Sequence, residues 1–343
     1  MTPLPPVSPK GSDSHMPCRV VALGGGTGMP AILRGLRVFV ANGDISALTA
    51  IVTMTDDGGS SGRLRKTMKL PPPGDVRNCL VALSEDEELL AGLFQYRYVG
   101  SAELEGHSVG NLILAALAER TGSFLKAVEV SSRVLRTAGR ILPATLDDVR
   151  LEATLEDGSN IVGETSIAAC SKPIRRISLQ PRSARPTRGV TEAILQADLI
   201  VLGPGSIYTS VVPNLVVDGV ADALRRTAAL VVLVANLVSE RGADDGLGLE
   251  DHLEVVEDHA GGSIVDAVLA NDGTVDEGTL ARYRAEGAVP LRWPSKPSCR
   301  HVRVLRGNLL AKGPKLRHDA IVTAQALITA WADVAAPVGR RVP

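Results

Sequence analysis

The sequence predicts an α/β fold in which helices flank a largely parallel sheet, with a small antiparallel β insertion. Apolar strand-like runs alternate with helix-like segments along most of the 343 residues, which is the pattern of repeated βαβ units. Hydrophobic residues make up 45% of the chain but aromatic residues only 3%, so the core must be aliphatic. Continuous runs of Val, Leu and Ala, such as residues 230–235 (LVVLVA), are typical of parallel strands buried on both faces.

The first half of the chain begins with a β-branched run that ends at glycines and leads into a helical pattern. Pro30 suits the first position of that helix, where its fixed φ and missing amide are tolerated. Asp75 is a candidate N-cap of the next helix, and Asn111 stands at the head of another. The predicted strands are 19–23 and 47–54, and the predicted helices are 29–40, 76–83, 87–95, 111–120 and 124–136.

Residues 145–185 differ from the rest because apolar and polar positions alternate around the turn Asp157-Gly158. This is a hairpin signature, with strands expected at 149–155 and 174–180, and it predicts the antiparallel insertion. Regular alternation then returns, so we expect residues 18–335 to form one domain after a disordered tail or expression remnant at 1–17. The later predicted strands are 199–202, 230–235, 264–270 and 301–305, and the later predicted helices are 217–226, 249–259, 276–286 and 318–335.

Charge, aromatic content and cysteine spacing exclude several classes of protein. The 37 Lys and Arg residues balance 38 Asp and Glu residues, so the chain lacks the basic excess that binds a nucleic-acid backbone. Aromatic residues make up only 3%, so stacking on single-stranded bases is not expected either, and no nucleic-acid partner is predicted. The cysteines are too far apart for a zinc site or a disulfide framework, which favours a reducing cytoplasm; they are Cys18, Cys79, Cys170 and Cys299. No apolar run reaches membrane-spanning length, and no membrane partner is expected.

A glycine loop follows the first strand and is the first candidate site. A strand that runs through glycines into a helix exposes backbone amides near the helix N-terminus, which favours an anion such as phosphate. The alternative is a tight turn without a ligand, because the loose dinucleotide pattern Gly26-x-Gly28-x-x-Ala31 is weak alone. The candidate ligand-binding residues of this loop are Gly24, Gly25, Gly26, Thr27 and Gly28.

An acidic pair and a Gly/Ser stretch follow the second strand. Asp56 and Asp57 can take a ribose hydroxyl or a magnesium ion, and they are the candidate metal ligands in the chain. The stretch after them can wrap a phosphate with amides and hydroxyls, with a cation as counter-charge. Its candidate ligand-binding residues are Ser60, Ser61 and Arg63; the alternative is a solvated surface loop.

A third polar group follows strand 199–202 and again offers flexible backbone and hydroxyls at a strand end. Its candidate ligand-binding residues are Gly203, Pro204, Gly205 and Ser206, and Asn236 ends the next strand. Because ligands of open parallel sheets sit beyond the carboxyl ends of the strands, we expect these three groups to share one pocket. Tyr208 can bind a ligand or pack in the core.

Two further segments are candidates to complete the pocket, through Asn78 and Asn111. His107 can serve as a general base, although a lone histidine in a loop is more often structural. The chain has no Walker-type phosphate loop, no Gly-x-Ser-x-Gly elbow and no His-Glu-x-x-His pair. The sequence therefore argues for ligand binding more strongly than for a reaction.

Five ordered segments resemble the YvcK type of the CofD/YvcK-like proteins: GGGTG, TDDGGSSGRLR, PPPGDVRNCLVALS, GHSVGNLILAAL and LGPGSIYTSVVPN. The resemblance spans residues 18–320 and implies a Rossmann-like fold and a bacterial cytoplasmic protein. It also implies binding of UDP-sugars such as UDP-N-acetylglucosamine, with a regulatory role in carbon metabolism, cell-wall synthesis and cell shape. The related CofD branch implies an alternative, in which a phospholactyl-type group is transferred to a deazaflavin precursor with magnesium and a guanosine nucleotide.

One stretch departs from the YvcK pattern, because Ala243 and Leu247 replace an expected Glu and an expected aromatic residue. An aromatic ring there can stack on a base or sugar, so the departure bears on ligand selectivity rather than on phosphate contact. A nicotinamide-dependent oxidoreductase is a third hypothesis, suggested by the loose glycine pattern alone. A homo-oligomer and a regulatory protein partner are both left open by the sequence.

Overall fold

The structure is a computed structural model that describes residues 17–85, 89–100, 103–240, 242, 246–294 and 301–335. Seven strands form the main sheet: β1 (Cys18–Gly24), β2 (Ile45–Val52), β3 (Arg140–Pro143), β7 (Leu199–Leu202), β8 (Leu230–Val234), β9 (Ala267–Asn271) and β10 (Arg303–Gly307). Three strands form a second sheet: β4 (Arg150–Leu155), β5 (Asn160–Val162) and β6 (Ile174–Gln180). The predicted α/β fold with a small antiparallel insertion is confirmed.

The main sheet has the order β10-β9-β8-β7-β1-β2-β3, and neighbouring strands pair in parallel. The chain moves outward from β1 through β2 to β3, and then returns to the other side of β1 at β7. The direction of winding therefore reverses between β1 and β7. In folds of this kind, the reversal opens a crevice at the carboxyl ends of the two central strands.

Helices cover the two faces of this sheet. In chain order they are α1 (Gly28–Ala41), α2 (Gly59–Met68), α3 (Gly74–Leu83), α4 (Leu90–Gln95), α5 (Val109–Thr121), α6 (Phe124–Val134), α7 (Glu164–Ala168), α8 (Val190–Gln196), α9 (Val212–Leu215), α10 (Val220–Arg226), α11 (Leu249–Ala260), α12 (Glu277–Ala285) and α13 (Ala320–Ala335). A π-helical turn at Ile207–Val211 precedes α9. None of the helices in the described ranges is long and apolar enough to cross a bilayer.

Strand β1 shows why the apolar runs are continuous. Val21 and Leu23 pack into one buried cluster, whereas Val20 and Ala22 pack into the other. Because successive side chains point to opposite faces, both faces of the sheet must be covered. Cys18, Cys79 and Cys170 are buried free thiols, and Cys299 lies outside the described residues.

Helix α1 is amphipathic, and it buries Met29, Ile32, Leu33 and Leu36 at the spacing of one helical face. Its N-cap is Thr27, so Pro30 is the third helical residue. The prediction that Pro30 is the first helical residue is wrong. The helix packs against α13 at Gly35, where a Cβ atom would overlap the carbonyl oxygen of Ala320. This glycine therefore sets how closely the two helices approach.

The insertion is an antiparallel sheet of order β5-β4-β6 with α7 beside it. Leu151, Ala153 and Leu155 alternate along β4 and join the cluster on the same face of the main sheet as Val21. The predicted hairpin turn at Asp157-Gly158 is present, and it joins β4 to β5. Strand β3 and helices α2, α7, α8 and α9 were not predicted as such from the sequence.

Candidate functional site

A cavity of about 670 Å³ lies at the carboxyl ends of β1, β7 and β8, where the direction of winding reverses. Six of the predicted site residues line it: Thr27, Gly28, Asn78, Pro204, Gly205 and Asn236. These residues come from four separate segments of the chain, which the parallel sheet brings to one edge. The remaining predicted residues do not line this cavity.

The first glycine loop is in backbone contact with the loop after β7. A Cβ atom on Gly28 would overlap the carbonyl oxygen of Pro204 and lie 2.8 Å from its carbonyl carbon. The side chain of Asn236 holds the second loop, since it accepts from the Gly205 amide at 3.0 Å and donates to the Gly205 oxygen at 3.1 Å. Ser206 accepts the Ser210 and Val211 amides through its backbone oxygen and so begins the π-helical turn. The two loops therefore form one rigid edge of the crevice.

The Gly26 amide, predicted to meet a phosphate, donates instead to the Asp75 Oδ2 atom at 2.7 Å. Asp75 was predicted to cap α3, but the N-cap is Pro73. Asp75 lies in the first turn of α3, and its carboxylate is directed at the glycine loop. Gly24 and Gly25 are buried, and a Cβ atom on Gly25 would lie 2.7 Å from the same carboxylate oxygen. The amides left for an external anion are those at the start of α1, which have no partner within the helix.

Burial raises the pKa of Asp75 to about 6, against the opposing effect of the Gly26 amide, and the neighbouring Asp56 raises it further. Folding therefore favours the protonated form of Asp75. Above pH 6 the carboxylate is ionised and destabilises the folded protein, and this destabilisation shrinks as the pH falls toward 3.8, the usual pKa of an aspartate. A shift of this size corresponds to roughly 3 kcal/mol.

Asp75→Asn is therefore expected to raise the free energy of unfolding at pH 8 by about 1–3 kcal/mol, because an amide oxygen still accepts from Gly26 without a charge. Urea unfolding at pH 8 and pH 4 measures this, and the gain should vanish at the lower pH. The exposed Asp272→Asn is the matched control, with no gain at either pH. Equal stability of wild type and Asp75→Asn at both values would contradict the account of Asp75.

The other acidic groups near the strand ends also have partners within the protein. Asp56 Oδ1 accepts the Gly58 amide at 2.9 Å, and Asp57 Oδ1 accepts the amide and hydroxyl of Thr165 at 2.9 and 2.7 Å. Thr55 donates to Glu164 at 2.6 Å, and burial raises the pKa of Glu164 well above its usual range. Within the described ranges, no three His, Cys, Asp or Glu side chains cluster in a way that could hold a metal ion.

The Gly/Ser stretch forms the first turn of α2, and its contact with a phosphate stays a prediction. Ser60 and Ser61 are buried; Ser61 accepts the Gly74 amide at 3.1 Å, and Ser60 accepts from Asn111 at 3.1 Å. Arg63 is exposed, and its guanidinium donates to the Glu105 carbonyl at 2.5 Å. These side chains brace the wall behind the crevice.

The buried side chain of Arg77 hydrogen-bonds three polar residues next to the crevice. The guanidinium of Arg77 is 3% exposed and donates to Asn78 at 2.7 Å, to Asn111 at 3.2 Å and to Ser108. All three acceptors are neutral side chains, and burial lowers the pKa of Arg77 to about 10. A positive charge lying directly behind Asn78 favours an anion in the crevice.

His107 and Tyr208, which were candidates for ligand contact, both have partners within the protein. His107 hydrogen-bonds Ser60 through Nδ1 at 2.9 Å, and burial, followed by the nearby Arg63, lowers its pKa. Tyr208 is 3% exposed and packs in the core. Asn111 is the third residue of α5 and not its start, because Ser108 is the N-cap.

Of the two residues that depart from the YvcK pattern, the structure describes Leu247, which does not line the crevice. Leu247 is half-buried and packs against the core cluster that also contains Leu249. Ala243 lies outside the described residues.

Six polar residues that line the crevice were not predicted: Arg34, Gln95, Glu240, Arg317, His318 and Asp319. Arg34 is one turn along α1 from Ala31, on the face that opens to the crevice, and this spacing was a usable signal. Arg317 and His318 belong to the loop after β10. The strand-end rule that selected the other loops would also have selected this one, had it been applied to the last strand.

Comparisons with known proteins address the family of this chain. A family model described as 2-phospho-L-lactate transferase CofD matches residues 20–310. A protein named gluconeogenesis factor from Halalkalibacterium halodurans is 46% identical over 272 residues, which are 79% of this chain and 83% of the relative. A second protein named gluconeogenesis factor, from Bacillus subtilis, is 38% identical over 312 residues, which are 90% of this chain and 97% of the relative.

A solved structure gives the same relationship. The crystal structure of a UPF0052-family protein from Bacillus halodurans matches with a TM-score of 0.86 and 41% identity, covering 92% of this chain and 100% of that one. Sequence and architecture thus agree over nearly the whole described chain. The protein belongs to the CofD/YvcK-like family, and within it to the YvcK type.

Proposed function

We propose that the protein binds a nucleotide sugar of the UDP-N-acetylglucosamine type in the crevice between the β1 and β7 loops and acts as a regulator. The observation that carries this proposal is the convergence of the α1 N-terminus, the Gly205 loop and two exposed arginines on one cavity. Its volume of about 670 Å³ lies within the range of small-molecule sites.

The cationic groups of the crevice favour a phosphate-bearing ligand; its two acidic lining residues are Glu240 and Asp319, and Asp319 already accepts the Val322 amide. Arg34 and Arg317 are exposed and line the crevice from opposite elements, α1 and the loop after β10. The unpaired amides and the dipole of α1 add a positive potential at the same place. A diphosphate between these groups would meet donors on both sides, with the buried charge of Arg77 behind it.

The regulatory part of the proposal draws on the relatives. Proteins 38–46% identical to this chain carry the name gluconeogenesis factor, which supports a link to carbon metabolism. We extend this to the cytoplasm, with effects on cell-wall synthesis and cell shape, because a nucleotide sugar is a precursor shared by carbon and wall metabolism.

A transferase is the second candidate, favoured by the name of the matching family model. It would use magnesium, which is commonly held by one or two carboxylates together with substrate phosphates. Asp56 and Asp57 would hold the ion in that way, and it would neutralise charge on the transferred phosphate. These two residues fit such a shared site, although each already has one oxygen engaged by the protein.

A binding panel separates the candidates. UDP-N-acetylglucosamine, UDP-glucose, guanosine diphosphate and NAD are titrated with and without magnesium, by calorimetry and thermal unfolding. We expect a UDP-sugar at 100 times its dissociation constant to stabilise the fold by about 2.7 kcal/mol, with no product after long incubation. Binding of guanosine diphosphate alone, dependent on magnesium and abolished in Asp56→Asn, would favour the transferase, and a response to NAD alone would favour an oxidoreductase.

A further inference from the structure

His318 is held rigidly at the edge of the crevice. The loop around it is fixed by the Ala311 amide, which donates to the Arg317 oxygen at 2.9 Å, and by the Asp319 amide, which donates to the Leu309 oxygen at 2.7 Å. The side chain of Asp319 accepts the Val322 amide at 2.9 Å at the start of α13. The ring therefore has a defined position relative to the strand ends.

The hydrogen bond of the ring fixes its tautomer. Nε2 lies 3.1 Å from the carbonyl oxygen of Ala235, the residue before Asn236. A carbonyl oxygen only accepts, so Nε2 must carry the hydrogen. Burial lowers the pKa of His318 to about 4, so the ring is neutral near pH 7 and Nδ1 is left as a lone-pair acceptor.

The acceptor is open to the crevice. The ring is 9% exposed and lines the cavity. No hydrogen bond from another described residue reaches Nδ1, and this atom is not among the buried polar atoms left without a partner. The exposed part of the ring therefore includes an unused acceptor that faces the cavity.

We propose that His318 selects the ligand by accepting, at Nδ1, a hydrogen bond from a hydroxyl or N–H group of the nucleoside. This inference rests on the proposed nucleotide-sugar function of the crevice. A phosphate oxygen carries no donor, so it is disfavoured next to this lone pair. The phosphates then lie at the amides of α1, and the donor-bearing part of the ligand lies at His318.

The test couples one protein atom to one ligand group. UDP-N-acetylglucosamine and three analogues are titrated calorimetrically into wild type and His318→Gln; each analogue has lost one donor, by 2′-deoxygenation, 3′-deoxygenation or methylation of uracil N3. Glutamine keeps an amide donor for the Ala235 oxygen but leaves no acceptor at the position of Nδ1. Lys312→Ala, exposed and on the same loop, is the control.

We expect one analogue to bind wild type and the control roughly 10-fold more weakly than the parent, and this penalty to disappear in His318→Gln. If all analogues show the same penalty in wild type and in His318→Gln, the inference is wrong while the proposed function stands. If wild type binds none of the four ligands, the proposed function fails and the inference fails with it.

Discussion

Replacing Gly28 with alanine is expected to weaken the binding of UDP-N-acetylglucosamine about 10-fold or more, because a hydrogen bond to a charged group contributes roughly 1.5–3 kcal/mol and the donors to the diphosphate would move apart. The new Cβ atom would lie 2.8 Å from the Pro204 carbonyl carbon and 3.2 Å from the Gly205 amide nitrogen. Both are backbone atoms, and the two hydrogen bonds from Asn236 hold them in place. The α1 N-terminus must therefore move away from the Gly205 loop, which separates the donors proposed to share one diphosphate.

Calorimetric titration of the purified variant measures this loss. Gly92→Ala is the matched control, since the Cβ atom at that helical position meets open space. Circular dichroism checks that the sheet persists. Unchanged affinity in a folded Gly28→Ala variant would contradict the assignment of the ligand to this crevice.

Gly35→Ala is expected to lower the free energy of unfolding by about 1–2 kcal/mol, since overpacking costs roughly 1–3 kcal/mol and occasionally more. The added methyl would overlap the Ala320 oxygen and lie 2.6 Å from its carbonyl carbon and 2.9 Å from the Cβ atom of Ala324. The gain of about 1 kcal/mol in helix propensity offsets only part of this.

Urea unfolding followed by fluorescence or circular dichroism gives the comparison with wild type. The same substitution at Gly92 should be neutral or stabilising, because it adds helix propensity without a clash. A Gly35→Ala protein as stable as Gly92→Ala would show that α1 and α13 do not approach as closely as described.

The sheet and its switch point were predictable because both depend on local patterns. Val21 and Leu23 of β1 face one core, and Val20 and Ala22 face the other. Both faces therefore need apolar residues, and this continuous apolar run predicts a buried parallel strand. The glycines of the β1 and β7 loops are likewise demanded by positive φ at Gly26 and Gly203. Strand β3 was missed because only Ile141 and Leu142 of Arg140–Pro143 form an apolar run, whereas all four residues of β7 are apolar.

Helix α2 was hidden by composition. Its first turn, Gly59-Ser60-Ser61-Gly62, has poor helix propensity, and its stability comes from burial of Ser60 and Ser61 against α3 and α5. The role of Asp75 was equally invisible, because its partner Gly26 lies 49 residues away. Side chains that act through distant backbone groups carry no signature at short sequence range.

The central claim is that a nucleotide sugar occupies the crevice between the β1 and β7 loops. Hydrogen–deuterium exchange with and without saturating UDP-N-acetylglucosamine tests it most directly. We predict slower exchange in peptides that cover Thr27–Ala31, Gly205–Ile207 and Arg317–Ala320, with none in β4 or β6 of the insertion. Protection confined to other parts of the chain, or no protection at saturation, would contradict the account.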